Sequence, residues 1–114
     1  MTKITAVMFA AAFAGLLSSA PARAQSFDCM SYEEMNAAEQ KICDTPRLQA
    51  LDERLDHWYR RALVRAGYFD QIENVRAEQR TWLTGRNACG GNFWCLRRHY
   101  VSRIRALKTY VEHV

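Results

Sequence analysis

Cysteine occurs four times in this chain of 114 residues, at positions 29, 43, 89 and 95, and those positions constrain the fold more than any other feature. Cys89 and Cys95 bracket Gly90 and Gly91, which supply the backbone freedom to turn one helix end onto the next helix start. A bridge between them is geometrically natural. Cys29 and Cys43 can meet only if the chain between them doubles back. As one helix, fourteen steps of about 1.5 Å would hold them about 21 Å apart, whereas a disulfide needs Cα atoms about 5.5 Å apart. An extended stretch after Cys29, antiparallel to a short helix ending at Cys43, meets that requirement and makes local pairing the favoured one. Four cysteines nevertheless allow three connectivities, among them Cys29 with Cys95 and Cys43 with Cys89. A zinc site made by all four is disfavoured, because the intervals are thirteen and five residues and structural zinc sites draw on closely spaced C-x-x-C-like pairs. No metal is expected.

The compartment follows from the first residues. Lys3 precedes an apolar run from Ile4 to Leu17, then Ser18, Ser19 and Ala22-Arg23-Ala24, the pattern of a secretory signal peptide with a small-x-small cleavage site. Cleavage after Ala24 is expected, dividing the chain into a leader, 1–24, and a mature domain, 25–114, that is periplasmic or secreted. The run is shorter than the roughly 20 apolar residues of a bilayer span, so no membrane anchor should persist. Cys29 follows Phe27 and Asp28 and not a small-residue box, which argues against lipidation. Removing Lys3 and Arg23 from the sixteen basic residues leaves fourteen against twelve acidic ones, a mature net charge of about +2. That is too little for a protein that neutralises many phosphates, so nucleic acid is not an expected partner. A ninety-residue domain has a thin core, and an even number of cysteines in an oxidising compartment reads as two disulfides that reinforce it.

Apolar spacing predicts helices throughout. Thr45 before Pro46 marks a helix start, with the threonine hydroxyl as cap and proline in the first turn. Leu48, Leu51, Leu55, Trp58 and Ala62 then recur at three and four up to an end near Gly67. A second helix is predicted from Asp70, with Glu73 in the capping-box position and Ile72, Val75, Gln79, Trp82 and Arg86 on one stripe. Asn92 can cap a third, whose inner face reads Leu96, Tyr100, Ile104, Leu107 and Val111. A short helix is expected within 31–43, where Ser31 and Glu34 stand at capping-box spacing and Met35, Ala38 and Ile42 form an apolar set. Strand-like alternation is absent. The expected fold class is all-α: a small disulfide-stapled helical hairpin bundle of three long helices plus a short N-terminal helix, sequence neighbours antiparallel.

Phe27-Asp28-Cys29, Glu39-x-x-Ile42-Cys43-x-x-Pro46-x-Leu48-x-x-Leu51-Asp52-x-x-Leu55-x-x-x-Tyr59, Gln79-x-x-Trp82-Leu83-x-x-Arg86-x-x-Cys89 and Cys95-Leu96-x-x-x-Tyr100-x-x-Arg103-Ile104-x-x-Leu107 resemble, in order and chemistry, the LprI-type domain family. The resemblance covers essentially the whole mature chain. It implies an exported α-helical domain with the two local disulfides and, in one branch of the family, inhibition of lysozyme. No motif in the chain calls for a cofactor, and none is expected.

No catalytic constellation is legible. His57, His99 and His113 lie on separate stretches, each reading as a solvated residue, and no nucleophile has a base nearby. Glu39, Asp52, Tyr59, Gln79, Trp82, Arg86, Tyr100 and Arg103 read as structural, since helical spacing points them inward. A partly buried arginine requires a carboxylate, so Arg86 or Arg103 is expected to pair with Asp52 or Glu39. Asn92, Phe93, Trp94, Arg97 and Arg98 are the candidate partner-binding set, because a turn held by a bridge cannot bury every aromatic it carries, and Trp and Arg are enriched in interface hot spots. Their alternative role is to plug the end of the bundle. Lysozyme or another envelope protein is the expected partner. A structural or envelope-stress role without lysozyme inhibition is the competing reading.

Overall fold

The computed structural model describes residues 28–113; the expected leader, 1–24, lies outside them. A short 3-10 helix, Cys29–Glu34, leads into α1, Ala37–Asp44, then α2, Pro46–Gly67, α3, Ile72–Ala88, and α4, Phe93–His113. The class is all-α, and among the described residues there is no strand. Both bridges are sequence-local: Cys29–Cys43, with Cα atoms 5.7 Å apart, and Cys89–Cys95, at 5.5 Å. The reversal between Cys29 and Cys43 is made by the 3-10 helix and not by extended chain. It is held by the Tyr32 hydroxyl donating to Asp44 at 2.7 Å and by Gln40 donating to the Tyr32 carbonyl at 3.0 Å.

Helix ends follow local hydrogen bonding, in places differently from the sequence pattern. The capping box of α1 is Asn36 with Glu39, not Ser31 with Glu34. Asn36 Oδ1 accepts from Glu39 N at 2.8 Å and Glu39 Oε1 accepts from Asn36 N at 3.2 Å, whereas Ser31 and Glu34 are taken up by the 3-10 turn. Thr45 is the N-cap of α2, but its hydroxyl makes no capping bond. Its backbone serves both helices, the N–H donating to Ile42 and the carbonyl accepting from Leu48 and Gln49. Asp70 does not cap α3. It sits at φ +57°, in the left-handed conformation that closes a helix C-terminus, while an N-cap needs extended backbone. The adjoining Gln71 N–H reaches back 2.9 Å to the Ala66 carbonyl. Consequently the cap of α3 falls one residue later than the pattern suggests, at Gln71, without a side-chain capping bond. Asn92 does cap α4, its Oδ1 accepting from Cys95 N at 2.9 Å.

The three long helices run up, down and up, which leaves α2 and α4 parallel and makes theirs the most extensive packing in the bundle. Their starts lie side by side, since Arg47 and Leu51 of α2 share a groove with Phe93 and Arg97 of α4. Both disulfides therefore fasten the same end of the bundle. Ala38 and Ile42 of α1, Leu48, Leu55, Ala62 and Ala66 of α2, Val75 and Trp82 of α3, and Leu96, Tyr100, Ile104 and Leu107 of α4 form the core. Each large aliphatic side chain taken fully out of water contributes about 1.5–3 kcal/mol. These are the three-and-four stripes of the sequence, and Leu51, Trp58 and Val111 flank them half-buried.

Candidate functional site

Four helices each contribute one residue to a polar node inside the core. Asp52 of α2 is completely buried and Arg86 of α3 is 2% exposed. The Tyr100 hydroxyl of α4 donates to Asp52 Oδ1 at 2.7 Å, Arg86 Nη1 lies 3.5 Å from the same hydroxyl, and Arg86 Nη2 lies 3.9 Å from Glu39 Oε2 of α1. Asn87 Oδ1 accepts from Arg86 Nη2 at 3.0 Å, and the guanidinium stands over the Trp82 ring, 5.7 Å from its centroid. Burial, followed by the Asp52 charge, pushes the Tyr100 phenol far above its ordinary range, so it stays a neutral donor. Glu39 has two duties: one oxygen closes the α1 capping box and the other faces Arg86.

Arg103 belongs to a neighbouring cluster. Its Nε donates to Gln79 Oε1 at 3.0 Å and its Nη1 lies 3.7 Å from Glu78 Oε2, while burial lowers its pKa. Tyr59 is half-buried, and with Asp52 and Gln79 it lines a cleft between α2 and α3. The node and this cluster explain how so much polarity is tolerated in a small core: each charge meets a partner on another helix. Their chemistry is that of a lock holding helices in register, and the histidines do not converge on it.

His99 departs from the expectation of a solvated residue. Its ring stacks on Trp82, with centroids 5.4 Å apart and 18° between planes, and Nε2 approaches the Trp82 carbonyl at 2.9 Å. Gly85 makes room for it, since a Cβ there would come within 2.7 Å of the imidazole. The sequence offers one signal for this contact, a glycine inside an otherwise helical stripe.

The candidate partner-binding residues gather at the stapled end. Phe93 and Trp94 are not in a loop: both belong to the first turn of α4, immediately behind the Asn92 cap. Phe93 is half-buried against the core, whereas Trp94 is 62% exposed. The plugging role thus falls to Phe93, with Trp94 edge-on against it at 5.1 Å. Arg97 and Arg98 are exposed, and Arg97 shares a groove with Trp94, Arg47 and Arg54. Arg47 and Arg54 lie half a chain away, on α2, and nothing in their local sequence marks them as neighbours of Trp94.

Among the described residues, no group of three His, Cys, Asp or Glu side chains is placed to hold a metal ion, and no helix is long and apolar enough to cross a membrane. Together these features define a small all-α module clasped by two local disulfides, with a charged lock inside and an aromatic and arginine surface at one end. A family model described as Lysozyme inhibitor LprI matches residues 29–107. The chain belongs to that family. No curated protein and no solved structure matches it.

Proposed function

We propose that this chain is an exported binding module of the LprI type, periplasmic or secreted after removal of residues 1–24, that inhibits lysozyme through the start of α4. The family match supports lysozyme as the target. The two disulfides fit an oxidising compartment.

The observation that carries the placement of the head is Trp94. An indole 62% exposed on a small domain is an anchor without a pocket of its own, and Trp and Arg dominate interface hot spots. It projects from a helix turn tied back by Cys89–Cys95 and capped by Asn92, so little freedom is lost when it is immobilised on a partner. Arg97 beside it can meet the two catalytic carboxylates that flank the scissile bond of a glycan hydrolase. A mature charge of about +2 gives no long-range attraction toward a basic lysozyme, so binding depends on short-range fit.

Cell-wall lysis by lysozyme, measured with and without the purified mature protein, tests this reading. Inhibition at micromolar protein is expected, and it should be lost in Trp94→Ala and Arg97→Ala with melting unchanged. Undiminished lysis at micromolar excess overturns it and leaves a structural or envelope-stress role with another envelope component as partner.

A further inference from the structure

Beyond the head at Trp94, the seam between α2 and α4 carries a second message in its charges. Asp52 and Leu55 of α2 face α3 across their shared cleft, while Leu51 and Arg54 face the opposite side. There two grooves, of about 280 and 260 Å³, join end to end through Leu51 and Arg54. Apolar side chains, Leu51, Val101 and Ile104, form the floor, and the rims carry Arg47, Arg54, Arg97, Arg105 and Lys108. No carboxylate lines either groove. None of those five cations is ion-paired among the described residues, although arginines elsewhere pair with Asp56, Glu73, Glu39 and Glu78. In a mature chain with fourteen basic and twelve acidic residues, such segregation leaves one face with uncompensated positive charge.

We infer that the α2/α4 seam is a docking groove for an acidic amphipathic helix of a partner protein, which lays an apolar stripe on Leu51, Val101 and Ile104 and sets carboxylates against the arginine rims. Charge complementarity fixes the sign of the occupant, and the apolar floor fixes its character. A purely hydrophilic polyanion would leave that floor uncovered, and a flat bilayer cannot follow a trough sunk between two parallel helices. An amphipathic helix presents one apolar stripe between polar flanks, the complement of such a floor and rims, in the helix-in-groove mode of recognition. Arg47 and Arg54 stand seven residues apart, about 10 Å along α2, which matches acidic residues repeating every two turns on the guest. The groove meets the lysozyme head at Trp94 and Arg97, but the inference is tested at Leu51, Val101, Arg54 and Arg105 and does not rest on inhibition.

The test is titration of the mature protein with a synthetic helix of about 18 residues, about 27 Å long, carrying a leucine stripe flanked by glutamates. Tryptophan emission and backbone amide shifts are the readouts. Saturable micromolar binding is expected, with shifts concentrated at Leu51 and Val101. It should weaken about tenfold or more in the double variant Arg54→Glu, Arg105→Glu, and stay unchanged in Arg80→Glu on α3. A circular-dichroism melt establishes that the double variant is folded. Failure of the peptide to bind overturns the inference. So does equal binding of a scrambled peptide or of poly-glutamate, which would make the face a general polyanion surface, or binding of phosphatidylglycerol vesicles in place of the peptide. Because the assay contains no lysozyme, its outcome and that of the lysis assay are independent.

Discussion

Trp82 and His99 hold each other across the α3/α4 interface by two reciprocal contacts: the indole Nε1 donates to the His99 carbonyl at 3.1 Å, and His99 Nε2 meets the Trp82 carbonyl at 2.9 Å. Since a carbonyl only accepts, Nε2 carries a proton. The clasp fits only over a residue without Cβ, which is Gly85. In a helix interior Gly→Ala ordinarily gains about 1 kcal/mol, but a Cβ placed 2.7 Å from His99 Cε1 forces the ring off its partner, an overpacking cost of about 1–3 kcal/mol. Gly85→Ala should therefore be destabilising in urea unfolding, and adding His99→Ala should recover part of the loss. A Gly85→Ala variant more stable than the parent would mean that the clasp yields easily.

Alkaline stability should be governed by Tyr100. Unfolded, its phenol ionises around the ordinary value of 10.0; folded, burial and then the Asp52 charge raise it far above. The contribution is thus fully present below pH 10.0 and declines as the pH climbs past that value. Phenolate absorbance should show one tyrosine that titrates only with unfolding. Tyr100→Phe, which removes the donor to a buried carboxylate, should cost about 1.5–3 kcal/mol and abolish that late phase.

The two bridges are not equivalent. Chain-entropy reasoning assigns about 3 kcal/mol to the Cys29–Cys43 loop and about 2 kcal/mol to the shorter Cys89–Cys95 loop, so paired serine replacements should lower the melting temperature in that order. Both fasten the end where α2 and α4 start. Hydrogen exchange should accordingly be faster around 67–72, at the other end, which is held without covalent help. Loss of Cys89–Cys95 should also weaken partner binding beyond its effect on stability, by freeing Trp94.

Asp70 occupies a left-handed position at φ +57° that costs most side chains about 1–2 kcal/mol. Asp70→Gly should be neutral or stabilising, and Asp70→Val destabilising by more than about 1 kcal/mol, read from denaturant midpoints at constant slope.

The long helices were legible because their buried faces obey three-and-four spacing with few exceptions, and Asn92 was legible as a cap because a helix stripe follows it at once. Capping boxes were less so. Ser31 with Glu34 and Asn36 with Glu39 have the same spacing, and only the reversal required by Cys29–Cys43 decides between them. Asp70 misled for a related reason: aspartate suits both a helix start and a left-handed stop, and the choice lies in where the α2 carbonyls find donors. For the candidate binding surface, Trp94 and Arg97 can be named from their place beside a bridge. Arg47 and Arg54 cannot, because the parallel pairing that brings them alongside is a property of the whole bundle. His99 was hidden by rarity of signal, a lone histidine whose partner is a backbone carbonyl seventeen residues earlier.

Because each cystine joins partners close in sequence, with Cys43 and Cys89 far apart, a chain emerging amino end first can seal its first ring before the third thiol arrives. Scrambled isomers then have little opportunity to form. Such a protein should mature correctly with an oxidant alone, without an isomerase to shuffle misjoined pairs.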